Sequence, residues 1–155
     1  MCSFDSICSW YNVGGDELDW VLVNGQPEAA QIKQYTNVDV TPVAPYAVLY
    51  AGTSGTTDNR GLLVGNPIRC QQGTGELFFR YWISTNAFLR ACTRLQGQLF
   101  PTSCTPFLSV GGSGPAYFAI QQSFSPFEIY FEGTNLAGPK EFIIIDEIEY
   151  NGILC

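Results

Sequence analysis

Short apolar stretches, separated by glycine and proline, recur along most of the chain. In the clearest of them, residues 75–85, alternation places Phe79 and Tyr81 on one side of an extended backbone and Phe78 and Arg80 on the other. Short apolar runs bounded by turn residues are typical of β-strands. The predicted strands span 19–25, 45–52, 61–67, 75–85, 88–97, 116–124, 127–133 and 141–152.

No segment has the apolar period of an amphipathic helix. The closest, residues 26–35, does not hold a repeat of about 3.6 residues. A chain of short strands without helices predicts an all-β antiparallel β-sandwich of the jelly-roll type, made of two packed sheets. We expect residues 1–155 to form one such domain. The predicted core comprises Phe79, Tyr81, Ile129, Phe131, Ile143 and Ile145.

Composition narrows the function classes. Hydrophobic residues make up 46% of the chain and charged residues 14%, which favours a packed core over disorder. The net charge is −7 with seven Lys and Arg residues, so we expect no nucleic-acid binding. No apolar run approaches the roughly 20 residues of a transmembrane helix. Histidine, the commonest general base and metal ligand, is absent.

The chain contains six cysteines, an even number that predicts disulfides and an extracellular location, secreted or on the ectodomain of a membrane protein. Five residues separate Cys2 from Cys8, whereas structural zinc sites use two to four and catalytic dithiols use two. The cysteines are therefore expected to be staples, and six of them allow fifteen pairings. They lie at positions 2, 8, 70, 92, 104 and 155.

Three stretches, in this order, resemble the MAM domain, an extracellular module of meprins, neuropilins and receptor tyrosine phosphatases. CSFDSICSW at 2–10 resembles its opening motif, and GELFFRYWIS at 75–84 resembles its central aromatic strand. FEIYFEG at 127–133, followed by EFIIIDEIEYNGILC, resembles its closing motif. Where the family has its third cysteine this chain has Glu76, and Cys70 is the expected substitute. The resemblance implies the pairs Cys2–Cys8, Cys70–Cys155 and Cys92–Cys104.

Half of the acidic residues lie near the two ends of the chain, which often meet in a sandwich. Oxygen ligands without nitrogen ligands favour Ca²⁺, with Na⁺ as a weaker occupant. Alternation places Asp146 on the apolar face of Ile144 and Ile148, where a carboxylate needs a partner. The alternative is a solvated acidic end, with Asp146 satisfied by backbone amides or arginine. The ligands that the resemblance implies are Asp5, Asp16, Asp19 and Asp146.

The resemblance implies a non-catalytic interaction module for adhesion, self-association or matrix assembly, with a protein partner that includes a second copy as a candidate. The loops 52–60 and 105–116 are candidate contact regions, and the GGSG run at 111–114 is predicted to be a turn.

The alternative function is a calcium-supported carbohydrate-binding module, in which aromatic rings stack on sugars. Its candidate rings are Trp10, Tyr11, Trp20, Phe88, Phe107 and Tyr130.

An enzyme is not expected. Paired carboxylates hydrolyse glycosides, and the strands offer Glu128, Glu132, Glu147 and Glu149. However, alternation directs Glu128 and Glu132 away from the core, toward solvent, and no serine has a histidine to activate it.

Overall fold

A computed structural model describes residues 10–12, 18–51, 59–136, 138 and 140–155. Within these residues the chain forms eleven strands and one helix. They are β1 (Trp10–Asn12), β2 (Trp20–Val23), α1 (Ala29–Thr36), β3 (Tyr46–Tyr50), β4 (Arg60–Gly65), β5 (Gln71–Ile83), β6 (Phe88–Leu95), β7 (Ser103–Cys104), β8 (Gly111–Gly112), β9 (Ala116–Ile120), β10 (Phe127–Thr134) and β11 (Phe142–Leu154).

The strands form two antiparallel sheets that pack as a sandwich, which confirms the predicted fold class. Sheet 1 has the order β1-β4-β10-β6-β7. Sheet 2 has the order β2-β3-β11-β5, and the far edge of β5 pairs with both β8 and β9. Each of the eight predicted strands corresponds to a strand of the structure, because alternation of apolar residues follows the strand period of two.

The core lies between the two sheets and contains the inward residues of both. Phe79 contacts Phe131 edge to face, with 4.8 Å between the ring centroids, so the two sheets interlock at their centre. Among the predicted core residues, Tyr81 is half-buried and packs against the cluster. The others are fully buried: Phe79, Ile129, Phe131, Ile143 and Ile145.

The fold contains one helix of about two turns among the described residues. Helix α1 begins within the segment 26–35 that lacks a clean helical period and ends one residue beyond it, and its buried residues are Ile32 and Thr36, four positions apart. Ile32 packs with Trp82 and Ile144 on the outer face of sheet 2. A helix that covers a few residues of a sheet needs only a narrow apolar stripe, which the amphipathic pattern does not reveal. This short helix cannot span a membrane, and the described residues contain no helix that could.

Strict alternation also fails within β11. The pairing of β11 with β5 shifts register between Asp146 and Glu149, and Glu147 has a positive φ of 51°. The shift is a β-bulge, in which one extra residue reverses the faces that follow. Ile144, before the bulge, lies on the outer face of sheet 2, and Ile148, after it, lies in the core. The prediction that they share a face was therefore wrong.

Two of the disulfides implied by the resemblance are present. Cys70–Cys155 links the start of β5 to the end of β11 over a separation of 85 residues. Cys92–Cys104 links neighbouring positions of β6 and β7. The third pair, Cys2–Cys8, lies outside the described residues. Because β5 and β11 are antiparallel, the long link closes one end of the central strand pair of sheet 2.

Glu141 is an unusual carboxyl just before β11. Its Oε1 accepts the backbone N–H of Asn86 at 3.4 Å, while its buried Oε2 has no hydrogen-bond partner among the described residues. Burial raises the pKa of Glu141 above its ordinary value of 4.5, and the Asn86 hydrogen bond opposes this effect. The ionised carboxylate is therefore less stable here than in the unfolded chain.

Replacing both Cys70 and Cys155 with alanine is expected to lower the free energy of unfolding by about 2–5 kcal/mol, because the unfolded chain regains the entropy of a long loop. Urea unfolding without reductant measures the loss. The double change Cys92→Ala/Cys104→Ala opens a much shorter loop and is the comparison. A loss below about 1 kcal/mol in the first variant contradicts the expected role of the link.

The variant Glu141→Gln is expected to become more stable relative to the wild type as the pH rises from about 4 to 7. A raised pKa in the folded state gives stability that is present below the ordinary value and is lost as the pH rises through the raised value. Thermal unfolding at several pH values measures this difference. The exposed Glu76→Gln is the control, and a difference that does not vary with pH counts against the buried-carboxyl interpretation.

Candidate functional site

The outer face of sheet 2 is covered by α1 at one end and is open at the other. The open part is a groove of about 440 Å³ between residues of β5, β11 and the segment that precedes β9. We call it the β5–β9–β11 groove. Its lining residues are Phe78, Arg80, Pro115, Glu147 and Glu149.

An aromatic pair lies at the groove, and one of its members, Phe78, lines it. Phe78 on β5 and Tyr117 on β9 are direct neighbours across the sheet, and their ring centroids are 5.3 Å apart at an interplanar angle of 50°. Their chain neighbours Leu77 and Phe118 point into the core, so alternation directs the pair outward. Tyr117 is 52% exposed, whereas aromatic rings with no outside partner are more often buried.

Arg80 is held in place beside this pair. Its Nε donates to the carbonyl of Ser113 at 3.1 Å, and its Nη1 donates to Glu147 Oε2 at 3.3 Å. The guanidinium also lies 5.8 Å from the ring centroid of Trp82. Three directions of contact fix the side chain, and the remaining N–H groups of its five can donate to a ligand.

The position of Ser113 depends on the glycines around it. The GGSG run, predicted to be a turn, begins with the two-residue strand β8, in which Gly112 pairs with Trp82. Gly112 has a φ of 148°, and a Cβ there would lie 2.0 Å from the Tyr81 carbonyl oxygen. Only glycine permits this close approach of β8 to β5, and the approach brings the Ser113 carbonyl to Arg80.

The two carboxylates of the groove differ in their partners. Glu147 forms the ion pair with Arg80. Glu149 lies directly opposite Phe78 in the pairing of β11 with β5. Its side-chain carboxylate makes no hydrogen bond or ion pair with any described residue. Glu149 is half-buried and lines the groove together with Phe78. Its oxygens can therefore accept hydrogen bonds from a ligand in the groove.

This combination suits a ligand that has both an apolar ring face and hydroxyl groups. The rings of Phe78 and Tyr117 offer a surface for stacking, Arg80 offers donors and Glu149 offers acceptors. Binding sites of this kind place a few oriented polar groups beside an aromatic surface. The row Glu149–Phe78–Tyr117 crosses neighbouring strands and is about 10 Å long.

The aromatic residues singled out from the sequence lie elsewhere. Trp10, Trp20 and Tyr130 pack into hydrophobic clusters, as the tilted contact of Trp10 with Phe131 illustrates. Tyr11, Phe88 and Phe107 are exposed but lie outside the groove. The sequence did direct Phe78 outward by alternation, whereas Tyr117 became a candidate only when β9 was seen to pair with β5.

The outer face of sheet 1 has a different chemistry. Glu132 accepts from Arg90 at 3.1 Å and lies 3.6 Å from Arg60, while Glu128 accepts from Arg94 at 3.2 Å. Arg94 also lies over the ring of Tyr130, at 5.0 Å from its centroid. Burial raises the pKa of Tyr130, and the neighbouring Glu132 adds to this effect.

These ion pairs correct the prediction that Glu128 and Glu132 face solvent. Both lie on the outer face, but Glu132 is 4% exposed and Glu128 is 9% exposed, because the arginines cover them. The two residues are four positions apart along one strand, about 13 Å between their Cα atoms. Glycoside hydrolysis uses carboxyl groups that are closer together, so this face is a charged cover of the sandwich.

The structure describes two of the four predicted metal ligands. Asp19 is exposed and accepts from Asn12 Nδ2 at 3.0 Å, and Asp146 is buried and accepts the Glu147 N–H at 2.8 Å. By strand register they are four positions and two strands apart, roughly 16 Å between Cα atoms. The remaining two, Asp5 and Asp16, lie outside the described residues.

No group of three potential metal ligands occurs in the described ranges, and the calcium site as predicted remains untested.

A second cleft, of about 480 Å³, is larger than the groove, and its lining contains no carboxylate. Trp10, Ile68, Ile129 and Tyr150 line it together with the polar Asn66 and Arg69. Trp10 is also the first described residue of the chain, so the cleft adjoins a part of the protein that the structure does not describe. We therefore assign the candidate site to the β5–β9–β11 groove.

No family model and no curated protein sequence matches the chain. The resemblance to the MAM domain therefore stays an interpretation of the sequence.

Solved structures do match, and several are carbohydrate-binding modules. The CBM22-1 xylan-binding domain of Paenibacillus barcinonensis Xyn10C is 13% identical with a TM-score of 0.57, covering 99% of this chain and 93% of that one. The family 11 carbohydrate-binding module of the Clostridium thermocellum cellulase Lic26A-Cel5E is 14% identical with a TM-score of 0.56, covering 100% and 94%. At these identities the similarity establishes the fold alone.

The same fold also occurs within larger proteins. The enzymatically active domain of tailspike protein 4 from bacteriophage CBA120 is 18% identical with a TM-score of 0.55. The match covers 97% of this chain but 20% of the tailspike chain. The fold is therefore shared by binding modules and by parts of enzymes, so function has to be argued from the groove.

Glu132→Gln is expected to lower the free energy of unfolding by about 1.5–3 kcal/mol, because it leaves the charges of Arg90 and Arg60 without their buried partner. Glu149→Gln, the same change at a groove carboxylate, is expected to cost less than about 0.5 kcal/mol. Chemical unfolding of both variants measures the difference. Equal losses would contradict the distinction between structural and groove carboxylates.

Proposed function

We propose that this protein is a non-catalytic, extracellular carbohydrate-binding β-sandwich module. The observation that carries the proposal is the pair of the half-buried Phe78 and the exposed Tyr117, of which Phe78 lines an open groove with Arg80 and Glu149. The C–H faces of a sugar ring stack on such aromatic surfaces. Its hydroxyl groups exchange hydrogen bonds with the guanidinium and the carboxylate.

The fold supports this proposal. The sandwich is shared with a xylan-binding domain and with a cellulase module, both of which are carbohydrate-binding proteins and match this chain over nearly its whole length. The two disulfides support an extracellular setting, since such links persist in oxidising compartments.

The groove chemistry favours binding without turnover. Hydrolysis of a glycosidic bond uses two carboxyl groups, one as an acid and one as a base or nucleophile. Of the two that line the groove, Glu147 is engaged by Arg80 and Glu149 alone has no partner among the described residues. The ion pair with Arg80 therefore leaves Glu149 as the one lining carboxylate of the described residues that is free of a salt bridge, where the reaction would need two groups.

The adhesion function rests on the resemblance in sequence and stays a prediction. Calcium support of binding is likewise an expectation from the sequence. Titrations repeated with calcium and with EDTA examine it separately from glycan binding.

Soluble xylan, β-1,4-galactan and mixed-linkage β-glucan are suitable first probes, by affinity gel electrophoresis and titration calorimetry. We expect at least one of them to bind. Changing Tyr117 or Phe78 to alanine is expected to weaken binding by roughly tenfold or more, because each ring supplies part of the stacking surface.

Phe107→Ala is the matched control. Phe107 is also exposed and forms an edge-to-face pair with Phe88, but this pair lies outside the groove, so the change is expected to leave binding intact. Circular dichroism and thermal unfolding show whether each variant is folded. Failure of the wild type to bind a broad glycan array, or equal loss in the Phe107 variant, would overturn the proposal.

A further inference from the structure

The groove carries an excess of negative charge. Two of its lining residues, Glu147 and Glu149 of β11, are acidic, and the exposed Glu76 lies two positions before Phe78 on the same face of β5. Arg80 is the one cation that lines the groove among the described residues. Opposite charges on one surface cancel only when their numbers match, so the local potential is negative.

Arg80 does not offer an uncompensated positive charge to a ligand. Its ion pair with Glu147 has a nitrogen–oxygen distance of 3.3 Å, and the Ser113 carbonyl accepts from its Nε. An anion that approached Arg80 would therefore meet the carboxylate that already neutralises it.

The other arginines do not line the groove. Arg69 lines the second cleft, and Arg60, Arg90 and Arg94 belong to the outer face of sheet 1. Two packed sheets are about 10 Å apart, and the side chains of both outer faces add to this separation. The Debye length at an ionic strength of 0.1 M is about 10 Å, so the charges on sheet 1 are largely screened at the groove.

We propose that the groove selects uncharged glycans over anionic ones and that Glu149 is the residue that determines this selection. This inference rests on the proposed function. Glu149 accepts hydrogen bonds from sugar hydroxyl groups, whereas a ligand carboxylate or sulfate has no hydrogen to donate and is repelled. The negative faces of the Phe78 and Tyr117 rings act in the same direction, since they attract C–H groups and cations.

Chemically matched polymers test the selection. Hydroxyethyl and carboxymethyl derivatives of cellulose and of xylan share a backbone and carry substituents of similar size, and they differ in charge. We expect the carboxymethyl derivative of a backbone that binds to bind roughly tenfold or more weakly than its hydroxyethyl derivative at low ionic strength. Salt is expected to reduce this ratio, because it screens the repulsion.

The variant Glu149→Gln tests whether Glu149 determines the selection against anionic glycans. It is expected to weaken binding of the hydroxyethyl derivative, because it removes a charged acceptor, and to strengthen binding of the carboxymethyl derivative. The ratio of the two affinities should therefore fall at least about threefold. Glu28→Gln removes the same charge at an exposed position beside α1, outside the groove, and is expected to leave the ratio unchanged.

The outcomes separate the two proposals. Equal binding of the two derivatives, or tighter binding of the carboxymethyl derivative, overturns the charge selection while glycan binding itself stands. An unchanged ratio in Glu149→Gln overturns the role of Glu149. Absence of binding to any neutral glycan overturns the proposed function, and the charge selection falls with it.

Discussion

The pairing of β5 with β11, together with the one-residue bulge at Glu147, decides both the core and the groove. Before the bulge, Ile143 and Ile145 face the core, and after it Ile148 and Tyr150 do. Without the extra residue, strict alternation would direct Glu149 inward and Ile148 outward. The burial of two apolar side chains thus stabilises the register that also presents Glu149 beside Phe78. The Cys70–Cys155 link closes the far end of the same strand pair.

The two outer faces of the sandwich differ in what covers their side chains. On sheet 1, arginines cover the carboxylates of β10, and the ion pairs and cation–π contacts leave few groups for a ligand. On sheet 2, α1 covers Trp82 and Ile144, and the covered patch ends near Arg80. The part beyond the helix keeps the half-buried Phe78 and the exposed Tyr117 beside polar groups. An aromatic surface beside a few oriented polar groups is typical of a ligand site.

Much of the fold could be predicted from local patterns. Each predicted strand exists, and the outward direction of Phe78 and Arg80 follows from alternation because neighbouring side chains in a strand point to opposite faces. The helix could not be predicted from its apolar period, since its buried apolar contact is made by Ile32 with the sheet beneath it. Tyr117 was missed for a similar reason: its partner Phe78 is distant in sequence, and no local pattern records which strands pair.

The sequence by itself determined the class of fold, the faces of most strands and the absence of histidine chemistry, because strand period and composition are local properties. Tertiary structure decided where the aromatic pair forms, which carboxylates are covered by arginine, and which one borders the rings. Those outcomes depend on hydrogen-bonded register between distant strands and on a bulge whose position is set by packing in the core. A change of one residue in that register would exchange the core and surface faces of β11, and Glu149 would lose its place in the groove.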